Sequence, residues 1–291
     1  MTGKKYKTPL VFRRALEDRL KVKSQEQGTD FQRVRRSVAF DRLLCRLFVS
    51  GGEPWLLKGG YAMELRIQTA RVTKDIDLTL PAGILRDDGN QNELLHGMLQ
   101  DAADNDLGDY FTFLIGTPML DLDAAPYGGA RFPVTSLVAE KLYVKFHLDL
   151  GVGDASAKPF EKFTGADWLG FAGIAPGEFC GISKEEQFAE KLHAYTRPRE
   201  GRSNSRVKDL IDMVLLIDLG LESARLRGAL EKTFARRNSH PLPSSLEAPP
   251  EFWSKPYEAL ASECGLSGDI TNGFKRVSGF YVLLIPFELS D

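Results

Sequence analysis

Only three cysteines occur in 291 residues, and Cys45, Cys180 and Cys264 lie far apart. None falls in a CxxC or a Cys/His cluster, which argues against a disulfide framework and a zinc site and leaves free thiols in a reducing compartment. Long apolar runs are missing too: no stretch approaches the ~20 residues of a membrane span, so no membrane partner is expected. The basic start, Met1-Thr-Gly-Lys-Lys-Tyr-Lys, is not followed by the apolar segment of a signal peptide. A cytoplasmic protein is the expectation. Charge of one sign is also lacking. A formal net charge of −2 does not mark a nucleic-acid binder, although a local basic groove is compatible with it. There is no internal repeat.

What is present suffices for a folded core: 43% hydrophobic and 27% charged residues are ordinary for a globular chain. Apolar spacing predicts helices over residues 10–23 and 30–49, the second ended by Gly51-Gly52-Glu53-Pro54. Trp55-Leu56-Leu57 reads as a short strand, Gly59-Gly60 turns into a helix from about Tyr61 to Arg66, and Ile76 to Leu80 alternates at period two up to Pro81. A polar helix over 89–107 precedes strands near Tyr110–Ile115, Ala130–Val134 and Tyr143–Leu150, closed by a turn at Gly151-Val-Gly-Asp154. Helices return over 184–195 and 206–219, and a Pro-rich linker from His240 to Pro256 leads to a last helical hairpin. The order predicts an α+β fold: a sheet lobe with N-terminal helices over 1–180, and a helical C-terminal lobe over 181–291.

Residues i and i+2 of a strand share a face, so Asp75 and Asp77 present two carboxylates together while Ile76 and Leu78 point to the core. Like charges that close repel. A divalent cation relieves the repulsion, and oxygen-only ligands completed by substrate phosphates suit Mg2+. Just upstream, Gly59-Gly60 opens a helix whose unpaired N–H groups and dipole favour anions. A strand, a glycine pair, a helix and a strand bearing Asp-x-Asp read together as a phosphate-and-metal site for a nucleoside triphosphate. Lys58 and Arg71 flank it and either touch phosphate or serve solubility. Asp149, in a period-two run, reads as a turn cap at the strand end or as a third metal-binding carboxylate, the role that the resemblance set out below implies. Asp121 and Asp123 form a second Asp-x-Asp, but no glycine pair precedes them, and they read as loop or edge.

Two blocks carry a resemblance. The run LKGGYAMEL over 57–65 followed by RVTKDIDL over 71–78, and then EQFAEKLHA over 186–194 followed by RVKDLIDM over 206–213, resemble the AbiEii/AbiGii-type nucleotidyltransferase toxins. Those belong to the DNA-polymerase-β-like superfamily, and the resemblance runs from about residue 12 to 220. It departs in one place: Gly-Gly followed by Tyr61 stands where the superfamily has Gly-Ser and many relatives a Thr, so a hydroxyl contact to phosphate is lost or replaced by backbone N–H. The resemblance implies a polymerase-β-like core with a small mixed sheet and a helical C-terminal lobe contributing to the active site. It implies a toxin of a type IV toxin–antitoxin pair, restrained by a cognate antitoxin. The activity implied is transfer of an NMP from an NTP to an acceptor hydroxyl with Mg2+ and pyrophosphate release, the acceptor being RNA, a tRNA 3′ end. Carried over, Asp75 and Asp77 are metal ligands, Lys191 contacts the triphosphate, and Asp209 positions Lys191 or the nucleotide, with Asp212 weighed second. His193 reads as a packing or hydrogen-bonding residue. The loop carrying Arg197, Arg199, Arg202 and Arg206 is a backbone contact for RNA or an exposed linker. Thr73 shares the face of Asp75 and Asp77, and a phosphate there would add about −1.5 to −2 charge and block NTP-metal binding. The rival readings are a protein or small-molecule acceptor, and a non-catalytic nucleotide-binding regulatory module.

Overall fold

The computed structural model describes residues 6–49, 54–67, 69–81, 91–122, 125–154, 158–198 and 206–285. Gly51, Gly52 and Glu53 of the first helix breaker lie outside them, as do Asp123, Arg199 and Arg202. The chain forms two compact units. One comprises residues 1–65, 72–153 and 161–181, the other 66–71, 154–160 and 182–291.

In the first unit, α1 (Pro9–Glu26) starts at an N-cap, Thr8, with proline in its first turn, where the missing N–H costs nothing. Phe12, Leu16 and Leu20 recur every four residues and are its buried stripe. Helix α2 (Phe31–Leu47) is capped by Asp30, which accepts from the Arg33 N–H at 2.9 Å. Two of its arginines are buried because a single carboxylate serves both: Asp109 lies 2.6 Å from Arg42 Nε and 2.6 Å from Arg46 Nη2.

The sheet of this unit has eight strands among the described residues: β1 (Leu56–Lys58), β2 (Asp75–Leu80), β3 (Phe111–Ile115), β4 (Leu120–Asp121), β5 (Gly129–Val138), β6 (Lys141–Val152), β7 (Glu161–Thr164) and β8 (Glu178–Gly181). The order is β3-β5-β6-β2-β1-β8-β7, with β4 beside β5. Pairing is mixed: β2 runs parallel to β6 and antiparallel to β1, and β1 runs parallel to β8. Helix α3 (Gly59–Arg66) follows β1 with no intervening residue, and α4 (Gln91–Ala103) buries Leu95, Leu99 and Ala103. Strand β6 begins before and ends after the alternating run the sequence marks. Strands β7 and β8 have four residues each, too short to show a period.

The second unit is helical: α5 (Lys184–Thr196), α6 (Val207–Asp218), α7 (Ser223–Arg237), α8 (Ser254–Glu263) and α9 (Ile270–Leu284). Ser183 and Glu186 close a reciprocal capping box on α5, satisfying two N–H groups that the first turn leaves open. Helix α6 is buried almost all round, from Asp209 to Leu216. Helix α8 begins at Ser254, so Pro256 sits in its first turn instead of closing the linker. Among the described residues no helix is long and apolar enough to cross a membrane.

Candidate active site

Strand register brings the charged residues of the first unit into one row. Lys58 on β1 stands opposite Asp77 on β2, Asp77 opposite Asp149 on β6, and Asp149 opposite Arg131 on β5. Directly opposed residues share a face of the sheet. The row therefore crosses four strands in the charge order plus, minus, minus, plus. Two residues earlier on β2, Asp75 stands opposite His147. The reverse face carries Leu57, Ile76, Leu78, Leu148, Leu150 and Phe132, all fully buried, and this apolar layer fixes which way the carboxylates point.

Arg131 grips Asp149 with both arms of its guanidinium, Nε to Oδ1 at 2.7 Å and Nη2 to Oδ2 at 2.8 Å. It also lies 3.9 Å from Asp75 Oδ2, while His147 Nδ1 lies 3.4 Å from Asp75 Oδ1. The hydrogen bond that Arg131 donates to Asp149, joined by the charges of Asp149, Asp75 and Asp77, holds Arg131 above the usual arginine range although burial works against it. No motif announces Arg131 or His147, because only the pairing of β5 and β6 with β2 brings them to the carboxylates.

The glycine pair serves this arrangement directly. Gly59 has φ +65°, and a Cβ there would lie 2.0 Å from Asp77 Oδ2. A Cβ on Gly60 would meet Thr73 Oγ1 at 2.5 Å. The Gly60 N–H points to Asp77 Oδ2 at 3.4 Å. Any side chain at either position would thus push on Asp77 or on Thr73, quite apart from a phosphate's need for open backbone. Thr73 is held by its own contacts, its N–H donating to Glu64 Oε1 at 2.5 Å and its hydroxyl to the Asp75 carbonyl at 3.3 Å.

Among the described residues no set of three or more His, Cys, Asp and Glu side chains is arranged to hold a metal. Each oxygen of Asp149 accepts one N–H from the fork of Arg131. Asp75 and Asp77 form an oxygen-only, same-face pair, and that donor chemistry fits a hard divalent cation whose other ligands are waters and phosphates.

A second cluster forms within the helical unit. Lys191 on α5 places Nζ 3.0 Å from Asp209 Oδ1 and 2.9 Å from Asp212 Oδ2, the two carboxylates one turn apart on α6. Arg71 approaches the same Asp212, Nε to Oδ1 at 2.9 Å and Nη2 to Oδ2 at 2.7 Å. Arg71 is buried, and its guanidinium is directed to this carboxylate. Burial raises the Asp212 carboxyl, but Lys191 and Arg71 outweigh it and hold Asp212 below the usual carboxylate range. Burial likewise opposes the charge on Lys191, and Asp212 and then Asp209 overcome it, keeping the ammonium above the usual lysine range. An ammonium has three N–H donors, and two are committed here. Asp209 Oδ2 is buried with no hydrogen-bond partner, and Arg206 Nη1 lies 3.5 Å from it.

His193 sits two residues beyond Lys191, buried, in a chain of hydrogen bonds. Thr196 donates its hydroxyl proton to the Leu192 carbonyl at 2.9 Å and so accepts from His240 Nε2 at 2.8 Å. His240 Nδ1 then accepts from Ser239 Oγ at 2.9 Å, and Ser239 accepts from His193 Nε2 at 2.9 Å. His193 Nδ1 is buried without a hydrogen-bond partner. Burial, then the charges of Arg237, His240 and Arg197, push His193 down to about 3. A histidine kept neutral in the fold contributes stability that is present above its ordinary value of about 6.5 and lost as the pH falls toward the folded value. His193→Gln should therefore flatten the loss of stability between pH 7 and pH 4, compared by urea unfolding at the two pH values. Equal acid losses in the variant and the parent would remove His193 from the account.

The family described as "Nucleotidyl transferase AbiEii toxin, Type IV TA system" matches residues 42–270. In structure the chain is similar to MenT4, a nucleotidyltransferase toxin from Mycobacterium tuberculosis H37Rv, with a TM-score of 0.59 and 15% identity over 97% of this chain and 91% of that one. It is also similar to JHP933 from Helicobacter pylori, with a TM-score of 0.45 and 16% identity over 88% and 92% of the two chains. None of the curated proteins compared with the chain matches it.

Proposed function

Because the chain belongs to the AbiEii family of nucleotidyl transferase toxins of type IV toxin–antitoxin systems, we propose that it moves a nucleoside monophosphate from an NTP to the 3′ hydroxyl of a tRNA and releases pyrophosphate. The observation that carries this reading is the same-face pair of Asp75 and Asp77 against the Gly60 N–H, a pairing of carboxylates with an anion-seeking backbone donor. In the reaction the acceptor oxygen bonds to the α-phosphorus, the bond from that phosphorus to the bridging oxygen of the β-phosphate breaks, and the hydroxyl proton leaves for a base. Asp75 and Asp77 would hold Mg2+, with Asp149 as the candidate third carboxylate. Bound there, the metal would activate the attacking oxygen and neutralise charge on the leaving one. The chain's own part is positioning and electrostatics. The Gly59–Gly60 backbone and Lys58 receive phosphate oxygens. Lys191 is assigned to the triphosphate through its third N–H donor, and the unpartnered oxygen of Asp209 can accept a hydrogen bond from the nucleotide. Arg197 and Arg206 are assigned to the RNA backbone. A cognate antitoxin would restrain the activity in the cell.

The test is incubation with Mg2+, each labelled NTP in turn, and total tRNA. Label on tRNA supports the reading and names the base. Label on protein in a cell extract, with none on RNA, keeps the transfer chemistry and overturns the acceptor. NTP binding without any transfer overturns the enzyme reading.

A further inference from the structure

A cavity of about 390 Å³ opens in the helical unit, between the start of α5, one face of α7 and the segment at Lys158 and Pro159. Three cations line it: Lys158, Arg225 and Lys232, all exposed. None of the three side chains makes a hydrogen bond or ion pair among the described residues. Two other arginines of this unit, Arg237 and Arg71, behave differently. Arg237 is paired with Asp154 at 2.7 Å and Glu190 at 3.3 Å, and Arg71 with Asp212. The one carboxylate on the wall, Glu186, is buried and spends Oε2 on the Ser183 N–H at 3.1 Å. The lining therefore sets three cations against one carboxylate and is net positive.

Its floor is open. Gly228 lies on the same face of α7 as Arg225 and Lys232, and a Cβ added there would meet nothing within 4 Å. We propose that this cavity is a phosphate-binding subsite for the acceptor polynucleotide, a proposal that rests on the RNA-acceptor reading of the function. A free phosphate offers the same chemistry. The spacing favours a chain of phosphates, because seven residues of helix separate Arg225 from Lys232, about 10 Å along the axis. That span suits successive groups of a backbone. Helix α7 is basic as a whole, with Arg225, Arg227, Lys232, Arg236 and Arg237 against Glu231, which adds long-range attraction for a polyanion.

The experiment is fluorescence anisotropy of labelled total tRNA with the full chain, over a series of salt concentrations. Charge reversal in R225E/K232E should weaken binding by roughly tenfold or more and lower the log–log salt slope by about 2. Gly228→Leu, which fills the floor without a clash, should weaken binding with the slope less changed. Both variants should melt like the parent and bind NTP like the parent, which excludes misfolding. Binding unchanged in both overturns the proposal. Displacement of the tRNA by millimolar inorganic phosphate, at an ionic strength matched with chloride, overturns it in favour of a free-phosphate site. The functional reading fails separately: if the parent puts no label on tRNA while tRNA binding still responds to charge reversal, the subsite stands and the acceptor assignment falls.

Discussion

Asp77→Asn is expected to lower nucleotide transfer by about 10²–10³-fold, the scale on which removal of one preorganised charged group acts in a catalytic site. The substitution keeps the volume of the side chain that rests over Gly59, where the Asp77 carboxylate occupies the space of a Cβ. It removes the charge. Melting temperature should accordingly stay close to that of the parent while the rate of label transfer falls. The second Asp-x-Asp supplies an internal control: Asp121 is exposed on β4 and accepts from Asn92 Nδ2 at 2.9 Å, so Asp121→Asn should leave transfer unchanged. Retention of more than a tenth of the activity by Asp77→Asn, or equal losses in both variants, would sink the assignment of Asp77 to the chemistry.

The other large effect is on stability. Asp212→Ala removes the carboxylate that Arg71 and Lys191 share, leaving two buried cations with Asp209 as the remaining acid of the cluster. Breaking a buried ion pair by deleting one partner costs about 3–5 kcal/mol, since the stranded charge keeps its desolvation penalty without its Coulomb return. Urea unfolding measures this. The double variant R71L/D212A should recover part of the loss, because it removes one of the stranded cations. A loss under about 1 kcal/mol would show that water reaches the cluster and the pair is effectively exposed. The pH dependence has two limbs. Asp212 is held below its ordinary value, so its contribution is present above the unfolded value of about 3.9 and lost as the pH falls through the folded one. Lys191 is held above its ordinary value, so its contribution is present below about 10.4 and lost as the pH rises through the folded one.

The cluster also changes the picture of individual residues. Arg71 flanks the motif in sequence and there reads as a phosphate contact or a solubilising charge, and its guanidinium lies on a carboxylate 141 residues away. Asp212, second to Asp209 in the sequence reading, makes the larger number of close contacts with the cations. Lys191 lacks a carboxylate one turn before it on its own helix, and its partners come from α6. For Asp149 the sequence left open a metal ligand or a turn cap. In the fold it stands beside Asp77 and is occupied by Arg131.

What the sequence determined by itself is what neighbouring residues can encode. The period of two made Asp75 and Asp77 share a face with Ile76 and Leu78 on the other. The period of α2 marked its buried face, and the two ordered motif blocks identified the family to which the chain belongs. The tertiary structure alone decided the row from Lys58 through Asp77 and Asp149 to Arg131. That row depends on which strands pair and in what register, and those hydrogen bonds join segments dozens of residues apart. It alone converged Lys158, Arg225 and Lys232 on one cavity, because α7 carries no motif and Lys158 comes from a distant segment. Dihedral preference and side-chain period are local properties, whereas the counter-ion of a buried or clustered charge is chosen by packing, and packing is long-range.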